Sequence, residues 1–157
     1  MKKLITLFTL SMTAVSFGAT TGDITISGTV APELSLSLSA SSYTTLNITS
    51  GGDHSVAQAT EVCNDLDGYK IFGYSVNGSQ LQNQSNTSVK TSYTVKYDGG
   101  SAVSLGAGAA AKVQLKDSGS LTQAADYDSN VVVDVTAFAN APAGTYSDTI
   151  TLQIVAN

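Results

Sequence analysis

The side chains capable of catalytic chemistry are few in this sequence. His54 is the only histidine and Cys63 the only cysteine. General acid–base and nucleophilic catalysis need such a group beside a positioned partner, and the chain contains no Gly-x-Ser-x-Gly, His-Glu-x-x-His or Cys–His signature. His54 also follows Gly51-Gly52-Asp53, which is typical of a turn. We predict a protein that is not an enzyme, with no catalytic residues and no cofactor.

Two pairs of carboxylates are close in sequence, Asp65 with Asp67 and Asp126 with Asp128. The stretch DYDSN (126–130) offers oxygen ligands as a calcium loop does, but it lacks the glycine and the distal glutamate of the EF-hand pattern. Both pairs lie beside residues that favour turns, where aspartate is common because its carboxylate bonds the local backbone. We therefore predict no metal site.

The first residues have the three-part pattern of a secretory signal peptide. Lys2 and Lys3 precede an apolar run over residues 4–17, and small residues follow at Gly18 and Ala19. The run is shorter than the roughly 20 residues that span a bilayer. We predict export with cleavage after Gly18 or Ala19, a signal peptide at 1–18, an N-terminal extension at 19–31 and one domain at 32–157.

The charge of the chain is acidic, with a formal net value of −5 before the two signal lysines are removed. The sequence contains no arginine, and its lysines do not form a cluster. Binding to a phosphate backbone needs clustered cations that release its counterions. The composition therefore excludes nucleic acid as a partner. Because Cys63 has no second cysteine to pair with, we predict that it is a small buried hydrophobe, with an exposed or intermolecular thiol as the alternative.

Apolar residues alternate with polar ones along most of the chain, which predicts β-strands. The pattern begins in two segments that Pro32 separates, with apolar positions at Ile24, Ile26, Gly28 and Val30 and then at Leu34, Leu36 and Leu38. Further strands are predicted at 46–48, 54–62, 68–77, 91–97, 101–105, 111–116, 130–138 and 145–155. Residues 79–90 are rich in Gln, Asn and Ser and predict a solvated loop. Residues 106–111 predict a loop or edge strand, with a short helical turn as the alternative. The fold class predicted is all-β, a single immunoglobulin-like β-sandwich.

The two ends of the mature chain carry the functional argument. In the predicted C-terminal strand, Tyr146, Ile150, Leu152 and Ile154 face one way. Residues 20–30 are patterned for burial on one face although they form a terminal segment. Either they complete their own sandwich, or they add as a strand to another molecule, with alternate side chains setting the register. Both interpretations stay open at this point.

Both ends resemble a known family. The segment ITISGTVAP (24–32) with the leucine strand after it resembles the start of major pilins of the colonisation-factor fimbriae, the alpha class of chaperone–usher pili. The segment AGTYSDTITLQIVAN (143–157) is similar to their last strand, with the signature glycine at Gly144, although Ala156 departs from the aromatic residue favoured near the end. The segments GYKIFGYSVNGSQL (68–81) and YTVKYDGG (93–100) are similar to spore coat protein U-type domains.

The resemblance implies a pilus or fimbria subunit whose sandwich lacks its last strand. A periplasmic chaperone would fill the resulting groove, and at an outer-membrane usher the extension of the next copy would replace it, giving a surface polymer that supports adhesion to a host or glycan surface. Ile24, Ile26, Gly28 and Val30 would be the donor positions, and Ile150, Leu152 and Ile154 would line the acceptor groove. The alternatives are a secreted coat or matrix protein of the spore coat U type, and a self-complete carbohydrate-binding adhesin. The adhesin would use tyrosines as stacking platforms, namely Tyr69, Tyr74, Tyr93, Tyr97 and Tyr127.

Overall fold

The computed structural model describes Gly18 and residues 20–157, so the predicted signal peptide lies outside the described residues apart from Gly18. The chain divides into two units, Met1–Val30 and Ala31–Asn157. In the first unit, residues 20–30 belong to no strand and are exposed, with Ile24 and Ile26 each 89% exposed. The strand predicted over 24–30 is therefore not formed in a single chain, since a strand needs a neighbour to bond its backbone.

The second unit contains nine strands and one short 3₁₀ turn. The elements are β1 Leu34–Leu38, β2 Gly52–Cys63, β3 Tyr69–Ser75, β4 Gln80–Asn83, β5 Asn86–Tyr97, the 3₁₀ turn Ala109–Ala111, β6 Val113–Asp117, β7 Ala125–Val135, β8 Tyr146–Ser147 and β9 Ile150–Ala156. The described residues contain no α-helix. This confirms the predicted all-β fold.

The strands form two antiparallel sheets. One has the order β1-β2-β7-β5-β4-β8 and the other the order β6-β3-β9. The strands β1-β2-β7-β5 and β3-β9 follow the order that immunoglobulin sandwiches give to strands A-B-E-D and C-F. Within the described residues, no strand pairs with the outer edge of β9, where strand G of that fold would lie.

The core consists of the alternate residues that the two sheets direct toward each other. Along β3, from Thr91 onward in β5 and from Ser129 onward in β7, every second residue is buried, as period-2 patterning requires. The buried apolar side chains include Ala59, Ile71, Leu81, Val95, Leu105, Val131, Val133 and Val135. Cys63 belongs to this cluster and is buried without a disulfide partner, as predicted.

The predicted loop over 79–90 is instead the β4–β5 hairpin. Leu81 and Asn83 of β4 both point inward and are 3% and 2% exposed. The Asn83 Oδ1 atom accepts hydrogen bonds from the amides of Ser85 and Asn86, at 2.9 and 3.3 Å, which closes the turn. The prediction was wrong because a polar side chain that bonds the local backbone can occupy a buried strand position.

Two predicted strands are absent from the described elements, and a third region differs. Residues 46–48 lead into a turn, although Leu46 and Ile48 pack against the core. Residues 101–105 form only an isolated bridge between Val103 and Val95. Residues 106–111 contain the 3₁₀ turn, which was the alternative prediction there, and not the favoured loop or edge strand. In each region the apolar positions are too few to sustain a ladder.

The C-terminal strand predicted over 145–155 is divided between the two sheets. The strand β8 pairs with β4, and β9 pairs with β3. Asp148 lies at the break, where its Oδ1 atom accepts bonds from the amides of Asn77 (3.0 Å) and Thr149 (2.7 Å). Its Oδ2 atom accepts a bond from the Tyr93 hydroxyl at 2.8 Å. The carboxylate thus replaces ladder bonds where the chain crosses from one sheet to the other.

Candidate functional site

The free edge of β9 forms one wall of a groove, which we name the β1–β9 groove. Among the residues that the structure describes, β9 pairs only with β3. The amides of Val76 and Asn157 donate to the carbonyls of Thr149 and Gly68, each at 3.0 Å. Backbone groups in an antiparallel pair point alternately toward and away from the partner. The even-numbered residues Ile150, Leu152 and Ile154 therefore direct their N–H and C=O groups to the free edge.

The free edge of β1 forms the opposite wall. The Ser39 amide donates to the Gln58 carbonyl at 2.8 Å, and the Asn64 amide donates to the Glu33 carbonyl at 3.1 Å. By the same alternation, the residues Leu34, Leu36 and Leu38 direct their backbone groups away from β2. Each wall therefore offers three apolar residues whose backbone groups can pair with an added strand.

The floor of the groove is apolar. A cavity of about 360 Å³ opens between the end of β1 and the start of β9. Its lining includes Leu38, Val56, Leu81, Val131, Val133, Ile150 and Leu152, and it reaches Tyr93 and Asp148. Such a surface matches an aliphatic strand in size and chemistry.

The two walls of the groove lie close together where β1 and β9 approach each other. At their nearest, Cα atoms of β1 and β9 lie within 8 Å of each other. A strand bonded to both edges needs about 9.6 Å, which is two interstrand spacings. A strand that pairs with both edges along their whole length must therefore move them apart by at least about 1.6 Å where they are nearest.

The predicted wall residues do not all lie together. Ile150, Leu152 and Ile154 lie on β9 and pack against the core, and the first two line the cavity. Tyr146 does not share this wall, because it belongs to β8 in the other sheet. Its hydroxyl donates to the Pro142 carbonyl at 2.9 Å, and its ring meets that of Phe138 edge-on at 6.4 Å.

Gly144 is required where the loop before β8 approaches β4. Its φ of 147° lies in a region that side chains disfavour, and an added Cβ would lie 2.4 Å from Asn83 Nδ2. That amide donates to the Ala143 carbonyl at 3.3 Å and so holds the loop against β4. Gly144 thus shapes the entry to the C-terminal strands rather than the groove itself.

We expect Gly144→Ala to lower the free energy of unfolding by about 1–3 kcal/mol, because the new Cβ combines backbone strain with displacement of Asn83. Urea unfolding of the secreted chain measures the change. Gly28→Ala is the matched control, since nothing lies within 4 Å of a Cβ at Gly28. Equal losses in the two variants would contradict this account.

The residues considered for chemistry have local structural contacts. The His54 Nε2 atom accepts a hydrogen bond from the Asn47 amide at 3.3 Å. Asp126 and Asp128 lie within β7 rather than in a loop, so the calcium-loop alternative is wrong. The described residues contain no group of three or more metal-binding side chains. Of the tyrosines proposed as sugar platforms, Tyr69, Tyr93 and Tyr97 are buried.

A buried polar network that the sequence did not predict joins the two sheets. Glu61 of β2 is fully buried and accepts hydrogen bonds from the hydroxyls of Tyr69 in β3 and Tyr97 in β5. The Lys116 ammonium of β6 donates to Glu61 at 2.9 Å and pairs with Asp98 at 3.0 Å. The signal available in the sequence was Glu61 itself, which stands at an inward position of β2 between Ala59 and Cys63.

The electrostatics of this network favour an ionised Glu61. Burial raises the pKa of the Glu61 carboxyl, but hydrogen bonds from Tyr69, Tyr97, Lys116 and Ser129 outweigh it and hold the pKa below its ordinary value. Burial and the neighbouring carboxylate raise the pKa of the Tyr69 and Tyr97 hydroxyls. The network therefore contains an ionised carboxylate that pairs with Lys116 and accepts hydrogen bonds from two neutral phenols.

Within the described part of the chain, no helix is long and apolar enough to cross a membrane. Three features have no role in holding the domain together. They are the groove, its two free edges and the exposed segment at 20–30. Comparison of this chain with models of known protein families and with curated protein sequences finds no match.

Proposed function

We propose that this protein is a structural subunit of a surface pilus or fimbria that polymerises head to tail by strand donation. Residues 20–30 of one copy would enter the β1–β9 groove of the next. The observation that carries this proposal is that one chain combines an apolar groove with two free edges and an exposed segment of alternating apolar residues. Each feature supplies what the other lacks.

The donor positions suit such a groove. Ile24, Ile26 and Val30 are 89%, 89% and 85% exposed in the single chain. Burying three aliphatic side chains contributes roughly 5–9 kcal/mol before the cost of ordering the segment. The backbone of an added strand would also bond to both free edges. Nothing in the described chain approaches Gly28, and a glycine in a strand often marks the close approach of another backbone.

The positions of the domain ends favour a donor strand antiparallel to β9. Both ends lie at the β2–β3 turn, residues 64–68, where Asn64 Nδ2 donates to the Ala31 carbonyl at 2.7 Å and Asn157 Nδ2 donates to the Asp67 carbonyl at 2.9 Å. An antiparallel donor would place its own domain at the Ile150 end of the acceptor, away from that turn. A parallel donor would bring two domains to the same turn. The antiparallel arrangement repeats without closing, which generates a filament.

An exposed apolar groove between two free edges is an aggregation hazard before assembly. The proposal therefore includes a periplasmic chaperone that covers the groove and an outer-membrane usher at which the next copy replaces it. Adhesion to a host or glycan surface belongs to the same proposal. The burial of three tyrosines leaves less support for a carbohydrate-binding monomer.

Deletion of residues 19–31 is expected to abolish polymer formation, because it removes the donor positions and leaves the groove unchanged. The mature chain, expressed with and without residues 19–31, would be compared on unheated and heated gels and by electron microscopy. The full chain should form ladders or fibres that heating dissociates. Since Cys63 is buried and is the only cysteine, disulfides do not explain such a ladder.

A synthetic peptide with the sequence of residues 20–31 supplies the control. Because it should fill the empty groove of the deleted chain, it should raise the temperature at which that chain unfolds. A full-length chain that stays a stable monomer, and that the deletion merely unfolds, would mean that residues 20–30 complete their own sandwich. That result would reject the polymer and favour the coat or matrix alternative.

A further inference from the structure

The joint between successive domains would be very short. If residues through Val30 occupy a neighbour's groove, only residues 31–33 separate them from Leu34, where β1 begins. Three residues span at most about 10 Å. Pro32 has a fixed φ, and it restricts Ala31 before it to extended conformations. Much of the freedom of this joint is therefore removed by covalent structure.

Asn64 removes most of the freedom that is left. Its side-chain Oδ1 accepts a hydrogen bond from the Glu33 amide at 2.7 Å, and its Nδ2 donates to the Ala31 carbonyl at 2.7 Å. The Asn64 backbone amide also donates to the Glu33 carbonyl at 3.1 Å. These bonds bracket Pro32, which has no N–H group of its own to offer. They hold the joint against the β2–β3 turn.

The chemistry of this contact requires an amide side chain. One side-chain atom must accept from an N–H group and the other must donate to a carbonyl, which asparagine does with both atoms of one planar group. Aspartate keeps the acceptor but loses the donor, and alanine loses both. Of these three side chains, only asparagine makes both hydrogen bonds.

We propose that Asn64 is a positioning residue that fixes the angle between successive subunits of the polymer; this inference rests on the proposed strand donation. A polymer whose three-residue joint is held at Ala31 and Glu33 has one orientation per subunit and a regular repeat. Without the clamp, each joint pivots about the bonds on either side of Pro32. The number of subunits that assemble does not depend on the clamp, but their geometry does.

The experiment compares fibres of the full chain by electron microscopy. Asn64→Ala is expected to lose the regular helical repeat, and Asn64→Asp, which keeps the Glu33 bond, should lose it in part. Asp65→Ala is the matched control, because it removes a bond to the Asp67 amide in the same turn and does not contact the joint. Thermal unfolding of each variant shows whether an irregular fibre comes from an unfolded domain or from a folded domain with a loosened joint. Asn64→Asp is the milder change if Asn64→Ala does not fold.

Peptide binding distinguishes this inference from the function on which it rests. The full chain carrying Ile26→Asp retains its groove, and a peptide of residues 20–31 should bind it equally well with and without Asn64→Ala. If the peptide binds and the Asn64→Ala fibres keep an unchanged repeat, the role of Asn64 is overturned and strand donation is not. Failure of the peptide to bind in either background overturns strand donation and this inference with it.

Discussion

Replacing Glu61 with alanine is expected to lower the free energy of unfolding by about 3 kcal/mol, measured by urea denaturation of the secreted chain. The change removes the acceptor of the Tyr69 and Tyr97 hydroxyls and one of the two carboxylates that pair with Lys116. A buried ammonium or hydroxyl without its partner keeps its full desolvation cost. Asp98 remains beside Lys116, so the loss stays at the lower end of the range for broken buried pairs.

The pH dependence of the free energy of unfolding tests whether the Glu61 side chain is ionised in the folded state. The Glu61 pKa is lower in the folded state than its ordinary value of 4.5, so the folded state binds fewer protons. The contribution of ionised Glu61 to the free energy of unfolding is therefore fully present above the pKa that Glu61 has in the unfolded chain. It is lost as the pH falls through the pKa that Glu61 has in the folded chain. The acid-induced loss of stability should be smaller in Glu61→Gln than in the native chain. Glu33→Ala is the matched control, because Glu33 is exposed. A Glu61→Ala chain within about 0.5 kcal/mol of the native one would contradict the network.

The sequence predicted the parts of the fold that depend on local alternation. The strands β2, β3 and β7 combine β-branched or aromatic residues with period-2 spacing, and their existence follows from that pattern. The apolar wall of β9 follows from the same alternation at Ile150, Leu152 and Ile154. What the pattern misses is where a strand changes sheet, because Asp148 replaces ladder bonds only through partners distant in sequence, at Asn77 and Tyr93.

The buried network and the joint clamp depend on contacts between distant segments, so the sequence alone did not indicate them. Glu61 and Lys116 are 55 residues apart, and Asn64 and Ala31 are 33 apart. The free edges of the groove are harder still to predict. A strand that pairs within its own chain and one that pairs with a neighbour need the same alternation, and only the sheet order distinguishes them. For this reason the sequence left self-completion and donation open.

Ile26→Asp and Leu38→Asp are expected to stop polymer growth from opposite sides of the same contact. Ile26 is 89% exposed in the single chain, so aspartate there costs the monomer little. Leu38 is 47% exposed, so aspartate there costs the monomer less than it would at a buried position. In the polymer both positions would be buried, and an unpaired carboxylate there weakens the contact by at least about a hundredfold, or 2.8 kcal/mol. Ser27→Asp and Ser37→Asp are the matched controls, because Ser37 lies on the opposite face of β1 from Leu38 and Ser27 would lie on the opposite face of the added strand from Ile26. Ladders on unheated gels should persist in both controls.

Mixing the two variants tests whether donor and groove act as separate halves. The Ile26→Asp chain keeps an intact groove, and the Leu38→Asp chain keeps an intact donor segment, so the second should donate to the first. The resulting pair cannot grow, because its remaining donor and its remaining groove both carry aspartate. A mixture that yields dimers without longer species, from two variants that are each monomeric alone, requires strand donation between copies. If the mixture stays monomeric, or if either variant alone still forms long ladders, the contact between residues 20–30 and the β1–β9 groove is not what joins the subunits.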